Sequence, residues 1–461
     1  MPTSSQTLYL NKNCKQVPPA VVAKLLSEER SLYLNRTKNS KIIFEKTSNI
    51  LPLGVPSSFQ YYPPYPISIK SAQGAYLFDL DENKYLDLSM GFGALQIGHS
   101  HPQLIKDLTK TLEGGNLYVA PSDLSSKAAE VLSKRFNLEM VRFTNSGTES
   151  ILYAIKVAKV FTQRNGLIKI EGGYHGGYDP STVSTKPSLD LAGSEDSPNP
   201  VLTQGTTPGD VAVVPYNNSL ALEKLLNENP NRFAALLIEP VLENIGIVLP
   251  DQDYLTKVRE LTSKHGVLLI FDEVKTGLTA SPNGAAPVFG VQPDLITLAK
   301  SIGGGIAVGA FGGKKEIMAK IVDQTATHFG TYNGNPLAMQ AILTVDKILT
   351  PELISEAIAR NNRTISHINS IIHSYQLPAH VLGFGTKGAV TWSPNQVRNY
   401  RDYKKIDFEL AELNYLWNLN RGIITPPGLD DQWLISIQHN EKDTEYISQT
   451  FKTLAIALRS Y

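Results

Sequence analysis

The stretch Asp294–Gly305, DLITLAKSIGGG, combines a short apolar strand, a lysine at its end and a run of glycines. The apolar part, Leu295–Leu298, is typical of a strand buried on both faces of a parallel sheet. Lysine amines shift their pKa readily in a desolvated site, which makes Lys300 a candidate for a covalent Schiff base. A phosphate-binding loop also combines glycines with a lysine, but there the glycines come first. The order here favours a lysine-centred site and leaves a nucleotide-binding protein as the alternative.

Similar strands recur along the chain before this stretch. The candidates are Val141–Thr144, Leu167–Ile170, Val211–Val214, Ala234–Ile238 and Val267–Phe271. Continuous apolar runs that alternate with helical sequence predict a mostly parallel sheet covered on both faces by helices. Ligands of such sheets bind at the carboxyl ends of the strands. The sequence therefore predicts an α/β fold with its site at that edge.

The pattern divides the chain into three parts. Residues 1–90 form an N-terminal segment with a helix, an extended loop and a hairpin. Residues 91–342 form a large α/β domain, and residues 343–461 a small C-terminal domain. A chain of 461 residues is too long for one small core, so we expect packed lobes, with a small α+β domain built from the N- and C-terminal segments.

One segment interrupts the alternation of strands and helices. Pro180–Asp210 is rich in Ser, Thr, Pro, Gly and Asp and shows no periodicity. A loop of this length inside a compact domain is usually a lid, a binding loop or an insert. A mobile active-site lid and a passive insertion are both open interpretations.

Composition limits the class of protein. Lys plus Arg and Asp plus Glu number 43 each, and this balance argues against a nucleic-acid or membrane-surface role, which usually needs a basic patch. The single cysteine, Cys14, cannot form an internal disulfide or a cysteine-based zinc site. The polar residues 1–10 predict no signal peptide, and no segment approaches the roughly 20 apolar residues of a membrane span. We expect a cytoplasmic protein that acts on a small molecule and binds no metal.

A phosphate-binding site is predicted after the first of these strands. The motif Thr144–Glu149, TNSGTE, joins a strand to a helix and carries the hydroxyls of Ser146 and Thr148. The free N–H groups of a helix N-terminus, together with such hydroxyls, are suited to bind phosphate. A plain N-cap by Ser, Thr or Asn is the alternative.

An acid and an aromatic residue follow two other strands. The buried strand Val267–Phe271 ends in Asp272, and a carboxylate there is costly unless a cation pairs with it. A protonated pyridine nitrogen or a magnesium ion would serve, and a cap or turn is the third possibility. Tyr174 lies in Gly172–Gly177, GGYHGG, whose glycines allow its ring to lie flat on a planar ligand, with a flexible turn as the alternative. With Lys300 these groups supply what a pyridoxal site needs.

Taken together, the motifs resemble the class III (fold type I) aminotransferases. They are Thr144–Glu149, Gly173–Gly176 (GYHG), Glu239–Val241 (EPV), Phe271–Val274 (FDEV), Lys300 and Gly330–Pro336 (GTYNGNP). Within that family the sequence most resembles the branch of glutamate-1-semialdehyde aminomutase and its transaminase relatives. The resemblance runs from about Lys38 to the C-terminus. It implies a fold type I PLP-dependent transferase with pyridoxal 5′-phosphate (PLP) as cofactor.

The resemblance also implies roles for single residues. Lys300 forms the Schiff base and then shuttles the proton, Asp272 pairs with the pyridine nitrogen, and Tyr174 stacks on the ring; these three form the implied catalytic set. Thr331 reaches the phosphate of the neighbouring subunit, which implies a homodimer with active sites at the interface. The other implied cofactor-binding residues are Ser146, Gly147 and Thr148 at the phosphate, Asn244 near the ring hydroxyl, and His175.

Three positions depart from the family pattern. Gln60 stands where the aminomutase has an arginine that helps to bind the substrate carboxylate, and Pro427 where related β-amino-acid transaminases have one. Because a bidentate arginine is the best partner for a carboxylate, these differences disfavour glutamate-1-semialdehyde. They favour an amine or a modified amino acid with an apolar or aromatic part. Lys275, where the aminomutase often has methionine, is either a ligand for an anionic group or a structural lysine.

The expected function is amino-group transfer. An amine or amino-acid donor would pass its amino group to a keto or aldehyde acceptor through Lys300 and pyridoxamine phosphate. An intramolecular aminomutase and a PLP-dependent racemase are the alternatives on the same scaffold.

Overall fold

The computed structural model describes residues 13–426 and 432–460. Its strands are β1 (Ile69–Gln73), β2 (Tyr76–Asp79), β3 (Lys84–Asp87), β4 (Met140–Thr144), β5 (Gly166–Ile170), β6 (Val211–Val214), β7 (Phe233–Ile238), β8 (Leu268–Asp272), β9 (Leu295–Leu298), β10 (Gly309–Gly313), β11 (His380–Phe384), β12 (Lys387–Thr391), β13 (Ile423–Ile424) and β14 (Gln432–Leu434).

The α-helices are α1 (Pro19–Arg36), α2 (Lys38–Thr47), α3 (Met90–Gly93), α4 (Pro102–Glu113), α5 (Asp123–Phe136), α6 (Gly147–Thr162), α7 (Asp179–Thr182), α8 (Ser219–Glu228), α9 (Tyr254–Lys264), α10 (Gly277–Ala280), α11 (Ala286–Phe289), α12 (Lys315–Val322), α13 (Pro336–Ile348), α14 (Pro351–Ser374), α15 (Tyr400–Tyr403), α16 (Phe408–Asn420) and α17 (Glu441–Arg459). Across the described part of the chain, no helix combines the length and the apolar character that crossing a membrane requires.

A seven-stranded sheet forms the centre of one compact unit, the sheet unit, which comprises Pro102–Ile354 and Val397–Lys404. The strand order is β4-β10-β9-β8-β7-β5-β6. The pairs β5–β6, β5–β7, β7–β8 and β8–β9 are parallel, whereas β10 is antiparallel to β4 and β9. The prediction of a mostly parallel sheet is thus confirmed by the strand directions.

Strand β10 is the one member of this sheet that the sequence pattern does not predict. Its sequence, GAFGG, is dominated by glycine, which is depleted in strands and hides the signal. The link from β9 to β10 contains a short 3₁₀ helix, Lys300–Gly303. A link this short cannot hold the helical crossover that a parallel pair requires, so β10 runs antiparallel.

Burial explains why the other strands of this sheet can be predicted from the sequence. Every residue of β5 to β9 is buried, so most positions on both faces of these strands are apolar, with Lys169 in β5 as a charged exception. Helix α6 covers part of the sheet with Ile151, Ile155 and Ala158, all at most 1% exposed. These are the apolar positions that the helical spacing indicates.

The second compact unit, the terminal unit, contains the described residues up to His101, Ser355–Gln396 and those from Lys405 onward. It holds a four-stranded sheet, β1-β2-β3-β13, and a three-stranded antiparallel sheet, β11-β12-β14. Helix α1 packs on α16, so segments far apart in sequence share one α+β core. The predicted domain boundaries after residues 90 and 342 stay predictions.

The long loop of the sheet unit is tied to the segment Val397–Lys404. Arg401 forms an ion pair with Glu171 at 3.1 Å and donates to the Gly193 carbonyl at 2.8 Å. Glu171 is 1% exposed, so this pair is shielded from solvent and its geometry restrains the loop. The two interpretations of Pro180–Asp210, a lid and an insertion, stay predictions.

Candidate active site

A cavity of about 160 Å³ lies at the carboxyl ends of the central strands. It brings together most of the predicted site residues. Those that line it are Gly147, Thr148, Tyr174, His175, Asn244, Asp272 and Lys300. Parallel strands end at the same edge of the sheet, which is why residues that are distant in sequence converge there.

Asp272 is the last residue of β8 and is 5% exposed. Its Oδ2 lies 2.7 Å from His175 Nδ1, and its Oδ1 accepts hydrogen bonds from the Val274 N–H at 3.0 Å and from the Thr297 hydroxyl at 3.3 Å. These contacts fix the plane of the carboxylate. The carboxylate is therefore held ready to pair with a cation in the cavity.

Lys300 lies two residues after the end of β9, and its backbone has φ +49°. A residue other than glycine in the left-handed region is uncommon, and such residues cluster at functional sites. The turn at this point ends β9 and begins the 3₁₀ helix, and Lys300 lines the cavity. β8 and β9 are neighbours, so Lys300 and Asp272 extend from adjacent strand ends.

Tyr174 and His175 lie in the turn that follows β5. Tyr174 lines the cavity, and its burial, with a smaller contribution from the Asp272 charge, raises the pKa of its phenol. The phenol therefore stays neutral near pH 7 and offers an uncharged aromatic face. Gly176, with φ +82°, is required here, because a Cβ on it would lie 2.2 Å from Thr148 Oγ1.

The residues predicted to bind phosphate lie at the N-terminus of α6. Gly147 and Thr148 line the cavity at the helix N-terminus. Ser146 does not line it, and its hydroxyl caps α6 by accepting from the Glu149 N–H at 3.2 Å. The N-cap interpretation therefore holds for Ser146, whereas its contact with phosphate stays a prediction.

Two charged residues line the cavity without having been predicted as site residues. Glu239 follows β7, is 2% exposed and accepts from Asn244 Nδ2 at 2.8 Å. The same signal that identified Asp272, a buried strand ending in a carboxylate, is present at Glu239. Lys275, which the sequence left undecided, also lines the cavity, and its Nζ donates to the Glu243 carbonyl.

Thr331 lies outside the cavity, in a segment exposed to solvent. Its neighbours Phe329 and Tyr332 are 79% and 62% exposed. The predicted contact of Thr331 with a second subunit stays a prediction. Gln60 belongs to the terminal unit, and Pro427 lies outside the described residues.

The groups around the cavity fit a flat, protonated aromatic ring that carries a phosphate. Asp272 supplies a buried carboxylate for the ring cation, Tyr174 an aromatic face, and the N-terminus of α6 free N–H groups and a positive dipole end for an anion. Lys300 supplies an amine in the same cavity. Within residues 13–426 and 432–460, no group of three or more His, Cys, Asp or Glu side chains is placed to hold a metal ion.

Comparison with known proteins gives consistent matches over nearly the whole chain. The family model described as Aminotransferase class-III matches residues 59–416. A glutamate-1-semialdehyde 2,1-aminomutase of Methanocella arvoryzae is 34% identical over 432 residues, which cover 91% of this chain and 99% of that protein. The crystal structure of an omega-transaminase from Sphaerobacter thermophilus is 31% identical with a TM-score of 0.85, covering 91% of this chain and 98% of that one. A glutamate-1-semialdehyde aminomutase of Pseudomonas aeruginosa, solved in complex with PMP, shares the fold at 22% identity, with a TM-score of 0.88 over 96% of this chain and 99% of that one.

Proposed function

This chain belongs to the class III aminotransferase family, and from that premise we propose that it is an enzyme that moves an amino group on a small-molecule substrate. Its fold is that of the fold type I PLP enzymes, and its cofactor is PLP. The observation that carries the proposal is that Lys300 and Asp272, from neighbouring strands, line one cavity.

Each residue of the cavity would have its own role in such a reaction. PLP, when bound, withdraws electrons from the substrate carbon that loses a proton. The Asp272 carboxylate, oriented by His175 at 2.7 Å, would hold the positive charge at the ring nitrogen. Lys300 Nζ would hold the cofactor covalently and move the proton at the substrate carbon. Tyr174 would cover the ring face and exclude water.

The amino group could migrate within one substrate molecule or be transferred to a separate acceptor, and the relatives favour migration. The curated relatives at 34% identity are named aminomutases, which supports intramolecular migration better than transfer to a separate acceptor. We place migration first for that reason. Transfer from a donor to an acceptor comes second, supported by the 31% identical omega-transaminase and by Gln60 in place of an arginine.

A spectroscopic experiment separates these functions. The protein is loaded with PLP, freed of unbound cofactor and mixed with glutamate-1-semialdehyde in the absence of any acceptor. We expect an isomer with the amino group on the neighbouring carbon, formed over many turnovers, because migration needs no second substrate. The visible spectrum should return to its starting form.

The other outcomes are equally distinct. Conversion to the pyridoxamine form by an amine, with one equivalent of carbonyl product, would support the donor–acceptor reaction instead. Inversion at the substrate carbon without isomerisation would identify a racemase. A protein that retains no PLP after loading would contradict all three.

Lys275 is our candidate for the partner of a substrate carboxylate. It lines the cavity together with Asn244 and Lys300, and its Nζ donates to the Glu243 carbonyl, which fixes the side chain in the cavity wall. An ammonium carries three donors, which allows one lysine to contact several acceptors. A cation here would serve in place of the arginine that Gln60 replaces.

Replacement Lys275→Met is expected to raise KM for a carboxylate-bearing substrate about tenfold, because a charge-assisted hydrogen bond is lost. KM for a neutral amine should change little. The comparison variant is Lys264→Met, which removes an exposed lysine of the sheet unit. Equal effects of Lys275→Met on charged and neutral substrates would show that Lys275 is structural.

We also propose that the chain acts as a homodimer in the cytoplasm. Apolar side chains of two segments, Tyr118 and Val119 in one and Phe329 in the other, line a shared cleft of about 340 Å³ while largely exposed. Exposed apolar patches of this kind mark protein–protein contacts. The presence of a single cysteine, Cys14, agrees with a reducing compartment.

A further inference from the structure

The peptide bond between Gly173 and Tyr174 is held at both of its polar atoms by buried charged side chains. Lys169 Nζ donates to the Gly173 carbonyl, and the Tyr174 N–H donates to Glu239 Oε1 at 3.1 Å. Lys169 lies in β5 and Glu239 follows β7, so the two contacts come from adjacent strands. Lys169 is 0% exposed and Glu239 2%. The carbonyl and the N–H of this peptide are therefore both hydrogen-bonded to buried side chains.

Glu239 extends this arrangement to a second part of the cavity wall. Its Oε2 accepts from Asn244 Nδ2 at 2.8 Å and from the Glu243 N–H at 3.1 Å. One carboxylate thus joins the turn that carries Tyr174 to the loop that carries Asn244. Both of these residues line the cavity.

The turn around Tyr174, residues 172–177, contains four glycines among its six residues. Gly172 and Gly176 have φ +81° and +82°, and Gly173 and Gly177 add two more residues without side chains. Glycines give a turn freedom but no packing of their own. The turn is therefore held by contacts with the rest of the molecule. The Gly172 N–H donates to the Ser184 carbonyl at 2.8 Å, and His175 Nδ1 lies 2.7 Å from Asp272 Oδ2. The Lys169 and Glu239 contacts act on the peptide directly beside the Tyr174 ring.

Burial of Lys169 does not remove its ability to hold the carbonyl. Desolvation lowers the pKa of Lys169 to about 7, against the opposing effect of the Glu239 charge. An amine still carries N–H groups after it loses its proton, so it donates in either state. The contact with Gly173 therefore persists on both sides of neutral pH.

We propose that Lys169 and Glu239 form a clamp on the Gly173–Tyr174 peptide that sets the orientation of the Tyr174 ring, which makes Lys169 a positioning residue of the site. The inference rests on the proposed function only for the statement that Tyr174 covers a bound cofactor. The clamp itself is a property of the protein alone.

The test is the variant Lys169→Met, which keeps an unbranched side chain only one atom shorter and removes its donors, with Lys264→Met as the matched control. Hydrogen–deuterium exchange of the peptide covering residues 172–177 is measured on the full chain without added cofactor. We expect amide exchange about tenfold faster in Lys169→Met and unchanged in the control, because the Gly173 carbonyl loses its partner. Wild-type exchange in a folded Lys169→Met variant would overturn the clamp.

The holoenzyme provides a second measurement. The visible circular dichroism of bound PLP reports the asymmetry of the ring environment, and we expect Lys169→Met to lose most of this signal and to release PLP about tenfold faster. A holoenzyme of Lys169→Met with the wild-type signal and release rate would also overturn the proposal. A wild-type chain that binds no PLP contradicts the proposed function, and the exchange measurement then decides the clamp alone.

A second variant tests the clamp independently, in case Lys169→Met does not fold. Glu239→Gln keeps the shape of the side chain and one acceptor but removes the charge and one of the two acceptors. We expect faster exchange in the same peptide, about threefold, since one contact survives. Exchange at the wild-type rate in Glu239→Gln would overturn the clamp.

Discussion

Replacement of Lys300 by alanine is expected to reduce turnover at least about 10⁴-fold, the largest effect of any single change in this protein. Lys300 leaves β9 in a left-handed turn and lines the cavity that also holds Asp272. Its loss would remove both the covalent attachment of the cofactor and the base that moves the proton. The measurement is kcat with the substrate identified by the isomerisation assay.

Two controls make the Lys300 result specific. Far-ultraviolet circular dichroism should show an unchanged fold, and Lys264→Met should retain full turnover, because Lys264 is exposed and does not line the cavity. The PLP-loaded variant should also lose the visible band of the lysine-linked cofactor. A Lys300→Ala variant with wild-type kcat would refute the assignment of the site.

The variant Asp272→Asn is expected to lower kcat about 10³-fold, an effect comparable to removing a preorganised electrostatic group elsewhere. Asparagine keeps the oxygen that accepts from the Val274 N–H at 3.0 Å and from the Thr297 hydroxyl at 3.3 Å, so the strand end should stay in place. What is lost is the negative charge that would keep the ring nitrogen of PLP protonated. The absorbance of the bound cofactor and kcat are measured on the same sample.

Asp294 provides the matched control for the Asp272→Asn variant, because it is a second buried aspartate of the same unit. It lies just before β9 and pairs with Arg259 at 2.8 Å and Lys314 at 2.6 Å, away from the cavity lining. Asp294→Asn should reduce the thermal midpoint while leaving kcat nearly unchanged, because it breaks a buried ion-pair network rather than the site. If Asp272→Asn and Asp294→Asn had the same kcat, Asp272 would have only a structural role.

Local patterns were sufficient to predict much of the fold. β5 to β9 are buried on both faces and therefore appear in the sequence as continuous apolar runs, which local pattern detects. β10 was not predicted, because its glycine-rich sequence forms no apolar run. Its place between β4 and β9 follows from a short connection and sheet pairing, which are not local properties.

The site was predictable to a similar extent and for a related reason. Lys300, Asp272 and Tyr174 each lie at or shortly after the end of a strand, and a polar residue at that position stands out from the apolar residues before it. Lys169 gives no such signal, because it lies inside a strand, where a charged residue usually indicates solvent exposure. Only its contact with the Gly173 carbonyl explains why it is buried.

The sequence by itself determined that this chain forms a mostly parallel sheet with a lysine, an acid and an aromatic residue near strand ends. Strands buried on both faces appear as apolar runs, and helices show a 3.6-residue period, so local sequence is enough to detect both. The tertiary structure alone decided which strands are neighbours. The order β9-β8-β7-β5 sets Lys300 beside Asp272 and sets Lys169 beside Glu239. Hydrogen bonds and charge pairs act over a few ångströms, so their partners depend on strand order and not on distance along the chain.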